Sequence, residues 1–183
     1  MNIIDIDEHE VLSDGVNYYH PYLHKILKQY EFFANKITVC CQIKKQNLSK
    51  WNKKDFLDKS KYTFYPIFKI NSLRNLLLIR RNKKTMSPLI ENADLIITKQ
   101  PSFVGCIAIN LAIKYHVTSL VEVVGNAQDA YYNHSFKGKI VAPVAEILTR
   151  QSVEKADYVI YVTEKYLQTK YPTRRDSIGC SDV

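Results

Sequence analysis

The apolar positions of this chain switch repeatedly between the short continuous runs of strands and the three-and-four spacing of helices. The switch is sharpest from Ala93 to Asp129, in the stretch ADLIITKQPSFVGCIAINLAIKYHVTSLVEVVGNAQD. Leu95-Ile96-Ile97 is a short run with β-branched residues, bounded by Pro101, and predicts a buried strand. Ser102 precedes a pattern in which Val104, Ile107, Ala108, Leu111 and Ala112 recur at helical spacing, which marks it as an N-cap. Leu120 to Val124 predicts a second strand, stopped by Gly125-Asn126. Strand, helix and strand make a βαβ unit with parallel strands, and ligands of such sheets sit beyond the carboxyl ends of the strands. Gln100 to Gly105 and Glu122 to Asp129 are therefore where chemistry is expected.

The same reading extends to both sides. Ile3, Ile4 and Ile6 open a first strand, and Asp14-Gly15, between Val11 and Tyr19, signals a tight hairpin. Pro21 suits the first turn of a helix with Tyr22, Leu23, Ile26, Leu27 and Tyr30 on one face. Ile37 to Ile43 predicts a strand. Thr63 to Ile67 predicts an edge strand, because Pro66 cannot donate to a ladder. Ser72 would cap a helix through Leu73, Leu76, Leu77 and Ile79 that ends among Arg80, Arg81, Lys83 and Lys84, with these cations as partners of the helix dipole.

Glu91-Asn92-Ala93-Asp94-Leu95-Ile96-Ile97 is echoed by Glu154-Lys155-Ala156-Asp157-Tyr158-Val159-Ile160. One α-to-β junction is used twice, which favours a parallel α/β sheet over an α+β arrangement. Between the copies Ala142 to Ala156 is helical, and Glu164 to Lys170 forms another helix ended by Tyr171-Pro172. Ser177 to Val183 reads as the start of an element that the chain does not finish. The expected fold is α/β: a Rossmann-like parallel sheet with helices on both faces and an N-terminal β-hairpin, forming a single domain over residues 1–183.

Charge adds a partner class to this picture. The 183 residues carry a formal net charge of +8, which points to anionic partners. Lys44 to Lys61 concentrates lysines around Trp51 and Phe56 and reads as an exposed connection. Such a run suits phosphates or an anionic bilayer surface, but a solvated helix docked on the body by its one apolar side is the favoured account. The four cysteines, Cys40, Cys41, Cys106 and Cys180, contain no C-x-x-C pair and no histidines at zinc-finger spacing. No metal and no cofactor is expected. Reduced thiols imply a cytoplasmic protein. The acidic start MNIIDIDEHE is not a secretory signal, and no window approaches the ~18 apolar residues of a spanning helix.

Four sites carry candidate chemistry. Ser102, Phe103 and Gly105 lie at a helix amino end, where free backbone N–H groups favour an anion and simple capping is the alternative. Neither a G-x-G-x-x-G fingerprint nor a P-loop occurs, which disfavours a dehydrogenase. Glu122 is a carboxylate within an apolar strand, so it must face the crevice or meet a cation. With Gly125, Asn126 and Asp129 it would give a polar rim suited to sugar hydroxyls. Glu146 and Glu154 show an E-x7-E spacing but read as a solvated helix face beside Arg150. His20 and His24 do not form a metal motif, since Pro21 puts His20 at or before the helix cap.

Glu122-Val123-Val124-Gly125-Asn126-Ala127-Gln128-Asp129, together with Ala156-Asp157-Tyr158-Val159-Ile160-Tyr161-Val162-Thr163-Glu164-Lys165-Tyr166-Leu167-Gln168 and Tyr171-Pro172, resembles the amino-terminal half of bacterial GT-B glycosyltransferases. The likeness is to the group 1 (family 4) enzymes that build capsular and surface polysaccharides. The resemblance implies that this chain is the acceptor-binding domain, and that a carboxyl-terminal domain absent from it binds the nucleotide-sugar donor. It implies a cleft lined by Ser102, Phe103, Gly105, Glu122, Gly125, Asn126 and Asp129, joined by Asp14 and Gly15 if the hairpin folds toward the strand ends. The expected partners are a sugar or lipid-linked saccharide acceptor and, at the inner face of the membrane, anionic lipid; nucleic acid is not expected. By itself the chain is expected to lack a complete active site. The family's strand-end histidine is replaced by Val124-Gly125, which leaves the catalytic base unnamed. The alternative is a stand-alone Rossmann-like module that binds a polyanion through Lys44 to Lys61 and Arg80 to Lys84 without catalysis.

Overall fold

The computed structural model describes residues 1–34, 36–49, 51–52, 56–70, 75, 77–132 and 136–180. The strands are β1 (Asn2–Ser13), β2 (Tyr18–Tyr19), β3 (Lys36–Lys45), β4 (Tyr62–Pro66), β5 (Leu95–Gln100), β6 (Thr118–Val123), β7 (Tyr158–Tyr161) and β8 (Asp176–Gly179). The helices are α1 (Leu23–Tyr30), α2 (Leu77–Glu91), α3 (Phe103–Tyr115), α4 (Ala127–Tyr132), α5 (Phe136–Lys155) and α6 (Tyr166–Lys170). Among the described residues the sheet runs β4-β3-β1-β5-β6-β7-β8, parallel throughout, with β2 antiparallel on β1.

The alternation of side chains divides the core between the two faces. Ile4, Ile6, Cys40, Ile96, Val121 and Val159 point to one face and pack with buried residues of α2 to α6. Ile3, Ile37, Val39, Cys41 and Ile97 point to the other and pack with Leu23, Leu27 and Tyr30 of α1. The expected α/β architecture, hairpin and edge position of β4 are all present.

The echoed junctions share a contact as well as a sequence. Asp94 accepts a hydrogen bond from the backbone N–H of Asn2 at 2.6 Å, where β1 begins. Asp157 accepts from the backbone N–H and the hydroxyl of Ser119, both at 2.9 Å, near the start of β6. In each case an aspartate just before a strand ties down the amino end of the strand beside it.

Three local expectations are corrected. The proposed cap at Ser72, with Leu73 and Leu76, lies outside the described residues, but α2 does not end at its basic cluster; it continues to Glu91. Asn82, Met86 and Ile90, four residues apart, form its buried stripe, and this stripe carries the helix past the cations. Arg80, Arg81, Lys83 and Lys84 consequently sit exposed on the early part of the helix, not at its carboxyl end. Glu146 is not on a solvated face: it accepts a hydrogen bond from the Tyr171 hydroxyl at 2.6 Å and lies within 3.8 Å of Lys170. The connection from Lys44 to Lys61, expected to be exposed or docked by an apolar side, buries Leu48 and Leu57 and is anchored through them.

Candidate functional site

The site is built around an irregularity in β1. Its pairing with β3 is regular from Asn2 to Ile6 and again from Glu10 to Ser13, but between these runs Asp7, Glu8 and His9 stand opposite Cys41 alone. Such a bulge re-aims side chains and is over-represented beside active sites. Here the Gln42 side-chain amide holds it by donating to the Glu8 carbonyl oxygen at 2.5 Å. The bulge falls level with the carboxyl end of β5, because Ile6 pairs with Thr98.

Its three side chains part. Asp7, 1% exposed, turns toward the α1 face and takes a hydrogen bond from the Lys99 ammonium at 2.8 Å. Glu8 turns to the other face, where one carboxylate oxygen accepts from the Ser102 hydroxyl at 2.6 Å and the Val104 N–H at 3.3 Å. His9, half exposed, bonds through Nδ1 to the Asp7 carboxylate. Its ring centroid lies 5.0 Å from that of His20. His20 caps α1, its Nδ1 accepting from the Leu23 N–H at 3.0 Å.

Behind His9 lies a buried charged cluster. Asp5, 0% exposed, has no hydrogen bond to either carboxylate oxygen among the described residues; the Lys99 ammonium stands 3.8 Å away. Lys99 is aligned with Glu122 in the neighbouring strand, and Glu122 accepts from the Tyr30 hydroxyl at 2.8 Å. Burial pushes the Asp5 carboxyl up from 3.8 to about 7, with Lys99 opposing and Asp7 and Glu122 adding to the rise. Burial would raise Asp7 as well, but the hydrogen bond from His9 and the Lys99 charge outweigh it and hold Asp7 well below the usual carboxylate range. The bond to Asp7 in turn raises His9, while burial lowers His20. A half-exposed imidazole oriented by a buried carboxylate, itself fixed by an ammonium, is equipped to hold and exchange a proton with a hydroxyl ligand.

The residues expected at the site fall into three groups. Ser102, Phe103 and Gly105 form the amino end of α3. Ser102 caps it, accepting from the Gly105 N–H at 2.7 Å, and a Cβ on Gly105 would come within 2.8 Å of the Gln100 side chain. The anion expected there is supplied from within the chain by Glu8. Gly125 and Asn126 stand across the mouth, tied by the Val124 N–H to the Gln100 carbonyl at 2.9 Å. Asn126 and Asp129 are bonded to each other at 2.7 Å, and Asn126 also to the Tyr166 hydroxyl at 2.9 Å. Glu122 is separate from this rim, on the α1 side with Tyr30.

Asp14 and Gly15 make the hairpin turn at the far end of β1. The Asp14 carboxylate accepts from the N–H groups of Val16 and Asn17, and Gly15 adopts φ 95, which glycine tolerates best. Among the described residues no hydrogen bond joins Asp14 or Gly15 to the rim. Asp5, Asp7, Glu8, His9 and Lys99 were missed by sequence reasoning. Their signal was the one used for Glu122: Asp5 and Asp7 share one face of an apolar strand, and Lys99 ends another. Among the described residues no group of three or more His, Cys, Asp or Glu side chains is placed to hold a metal, and no helix is long and apolar enough to cross a membrane.

The parallel sheet with helices on both faces and an antiparallel hairpin strand makes a Rossmann-like fold. Over 97% of the chain it superimposes on UGT89C1 of Arabidopsis thaliana complexed with UDP, covering 51% of that protein with a TM-score of 0.51 and 8% identity. A UGT transferase from Siraitia grosvenorii in complex with UDP matches over 93% of the chain and 46% of its own, with a TM-score of 0.48 and 10% identity. In sequence, Protein CapJ of Staphylococcus aureus is 32% identical across all of this chain and 47% of its own length. The chain thus spans about half the length of these relatives. No family model matches it.

Proposed function

We propose that this chain is the acceptor-binding, amino-terminal domain of a sugar-nucleotide-dependent glycosyltransferase that works in surface polysaccharide synthesis. A carboxyl-terminal domain beyond it would bind the donor. The observation that carries the reading is the His9–Asp7–Lys99 chain at the carboxyl edge of the sheet, on a fold shared with UDP-bound transferases. The group 1 (family 4) likeness of the segments at Glu122 and Ala156 supports it, as does the 32% identity to Protein CapJ, which is about twice as long.

In this reading the acceptor lies along the edge between the bulge and the rim of Ser102, Phe103, Gly105, Gly125, Asn126 and Asp129. One of its hydroxyls meets the free nitrogen of His9. Asp7 fixes the orientation of that ring, and Lys99 keeps Asp7 ionised. The chain alone would bind acceptor without transferring sugar.

The test joins this chain to the carboxyl-terminal region of its full-length protein and measures sugar transfer from a panel of nucleotide sugars. Transfer is expected, and a His9→Gln variant should lower it by about a hundredfold. A full-length protein that neither transfers nor hydrolyses any nucleotide sugar would remove the reading.

A further inference from the structure

His9 and His20 stand side by side at the bulge, but only His9 has a place in the proposed reaction. His20 lies between β2 and α1 and is 8% exposed. Its Nδ1 accepts from the backbone N–H groups of Leu23 at 3.0 Å and Tyr22 at 3.3 Å. A ring nitrogen that accepts carries no proton, so the imidazole is neutral with its hydrogen on Nε2. The bonds run to the second and third residues after His20, the pattern of an amino-terminal cap, and Pro21 takes the first position of the turn. Tyr22, where α1 formally starts, makes no side-chain cap bond of its own. His20 therefore satisfies N–H groups that the helix leaves open.

The surroundings of His20 resist a second proton. From β1 it faces His9 and Asp7, the His9 ring 5.0 Å away, with Asp5 and Lys99 of β5 behind them. On the α1 side the Tyr22 ring lies at 6.4 Å, and His24 and Lys25 stand exposed further along the helix. Of these groups Asp7 favours a proton on His20, but its carboxylate is committed to His9 and Lys99. Protonation would take the acceptor from two backbone N–H groups and put a cation at the positive end of the α1 dipole. It would also set that cation beside His9, whose bond to Asp7 favours the charged ring. Burial and the neighbouring His9 charge hold His20 below its ordinary value, against the pull of Asp7. The pair consequently takes up protons in order, His9 first with α1 capped and His20 second.

We propose that His20 is an acid-sensitive latch: its neutral ring locks the amino end of α1 beside the bulge while His9 exchanges its proton, and a second proton, taken up in acid, releases α1. The helix shields the charged cluster, because Leu23, Leu27 and Tyr30 are buried against the sheet and Tyr30 bonds Glu122. Release at its amino end opens a path for water toward Asp7 and Lys99. As pH falls below the ordinary histidine range, the unfolded chain takes up a proton at this position before the folded chain does. The stabilisation is therefore complete above that range and lost on its acid side. The latch stands on the geometry of α1 and the bulge, whichever hydroxyl His9 serves.

The test follows the full chain by NMR from about pH 8 to about pH 4.5, across the range in which imidazoles titrate. It reads the ring resonances of His9 and His20 and the hydrogen exchange of the Leu23 and Tyr22 amides, corrected for the intrinsic effect of pH. His9 should titrate first. As His20 follows, Leu23 exchange should accelerate about fivefold to tenfold, while the Ile109 amide of α3, on the other face of the sheet, stays protected. His20→Asn, whose amide oxygen accepts at any pH, should abolish the acid step at Leu23. His24→Gln, which removes the next imidazole along α1, should leave the step in place. The proposal is overturned if His20 takes up its proton before His9, or if it titrates with no change at Leu23. Loss of Leu23 and Ile109 protection together would mark global acid unfolding and overturn it too, as would an unchanged acid step in His20→Asn. All but the last of these outcomes are read in the parent chain and do not depend on a variant folding.

Discussion

Asp5 is the buried group from which a measurable consequence follows most directly. Its carboxylate is fully enclosed, unbonded, and 3.8 Å from an ammonium already engaged by Asp7. Enclosure raises its pKa from 3.8 to about 7. Below about pH 4 the carboxyl is protonated in both folded and unfolded chains, so it costs nothing. As pH rises toward 7 the unfolded chain releases the proton while the folded chain keeps it, and stability falls. Three units at about 1.4 kcal/mol each give a loss on the order of 4 kcal/mol, complete above pH 7. Asp5→Asn replaces the carboxyl by a neutral group of the same shape and leaves Lys99 bonded to Asp7. Urea unfolding, followed by circular dichroism at intervals from pH 5 to pH 9, should show the variant about 1–2 kcal/mol more stable than the parent at pH 5, rising to about 4 kcal/mol at pH 8. Asp7, held well below the usual carboxylate range, stays ionised from pH 5 to pH 9 and adds no titration of its own to the difference. If the variant is instead less stable, and increasingly so at high pH, Asp5 is an ionised partner of Lys99 and the reasoning fails.

Lys99→Met should cost about 3–5 kcal/mol in urea unfolding at pH 7, because it strands Asp7 without its cation, while Asp5, whose rise Lys99 opposes, keeps its proton. A cost near zero would show that Asp7 does not depend on the ammonium. Asp7→Asn should lower the His9 pKa, read from the imidazole resonances by NMR, because the bond that raises it is weakened. An unmoved titration curve would disconnect His9 from the cluster. Ser102→Ala should destabilise the chain by about 1 kcal/mol through loss of the α3 cap, and a cost near zero would mean that Glu8 alone satisfies the helix end.

The sequence told most about elements whose apolar period was unbroken. β5, α3 and β6 follow from a single pass along Ala93 to Val124, and the echoed junctions foretold a parallel sheet. The extension of α2 was harder to see, because its buried stripe consists of a polar residue, Asn82, with Met86 and Ile90. Asn82 is buried by bonding both ways with the Phe68 backbone, donating to its carbonyl and accepting from its N–H. A hydropathy pattern cannot register a polar residue satisfied by a partner fourteen positions away.

The candidate site was legible in part for the same reason. Glu122 stood out because one carboxylate interrupts an apolar strand. Asp5 and Asp7 interrupt β1 in the same way, yet they sit in a run of acids that reads as a solvated terminus. What separates Asp5 from a surface acid is its enclosure between β3 and β5, with which it pairs; what separates Asp7 is the bulge, which depends on the register between β1 and β3. Because the bulge adds an even number of residues, the β1 side chains beyond it keep the faces that strict alternation assigns them, and Val11 packs in the same cluster as Ile3. Within the bulge, consecutive residues serve two faces and the edge: Asp7 joins Lys99, Glu8 fills the α3 terminus and His9 remains open to a ligand. The irregularity that concealed the site in the sequence is therefore what places its one accessible imidazole at the carboxyl edge of the sheet.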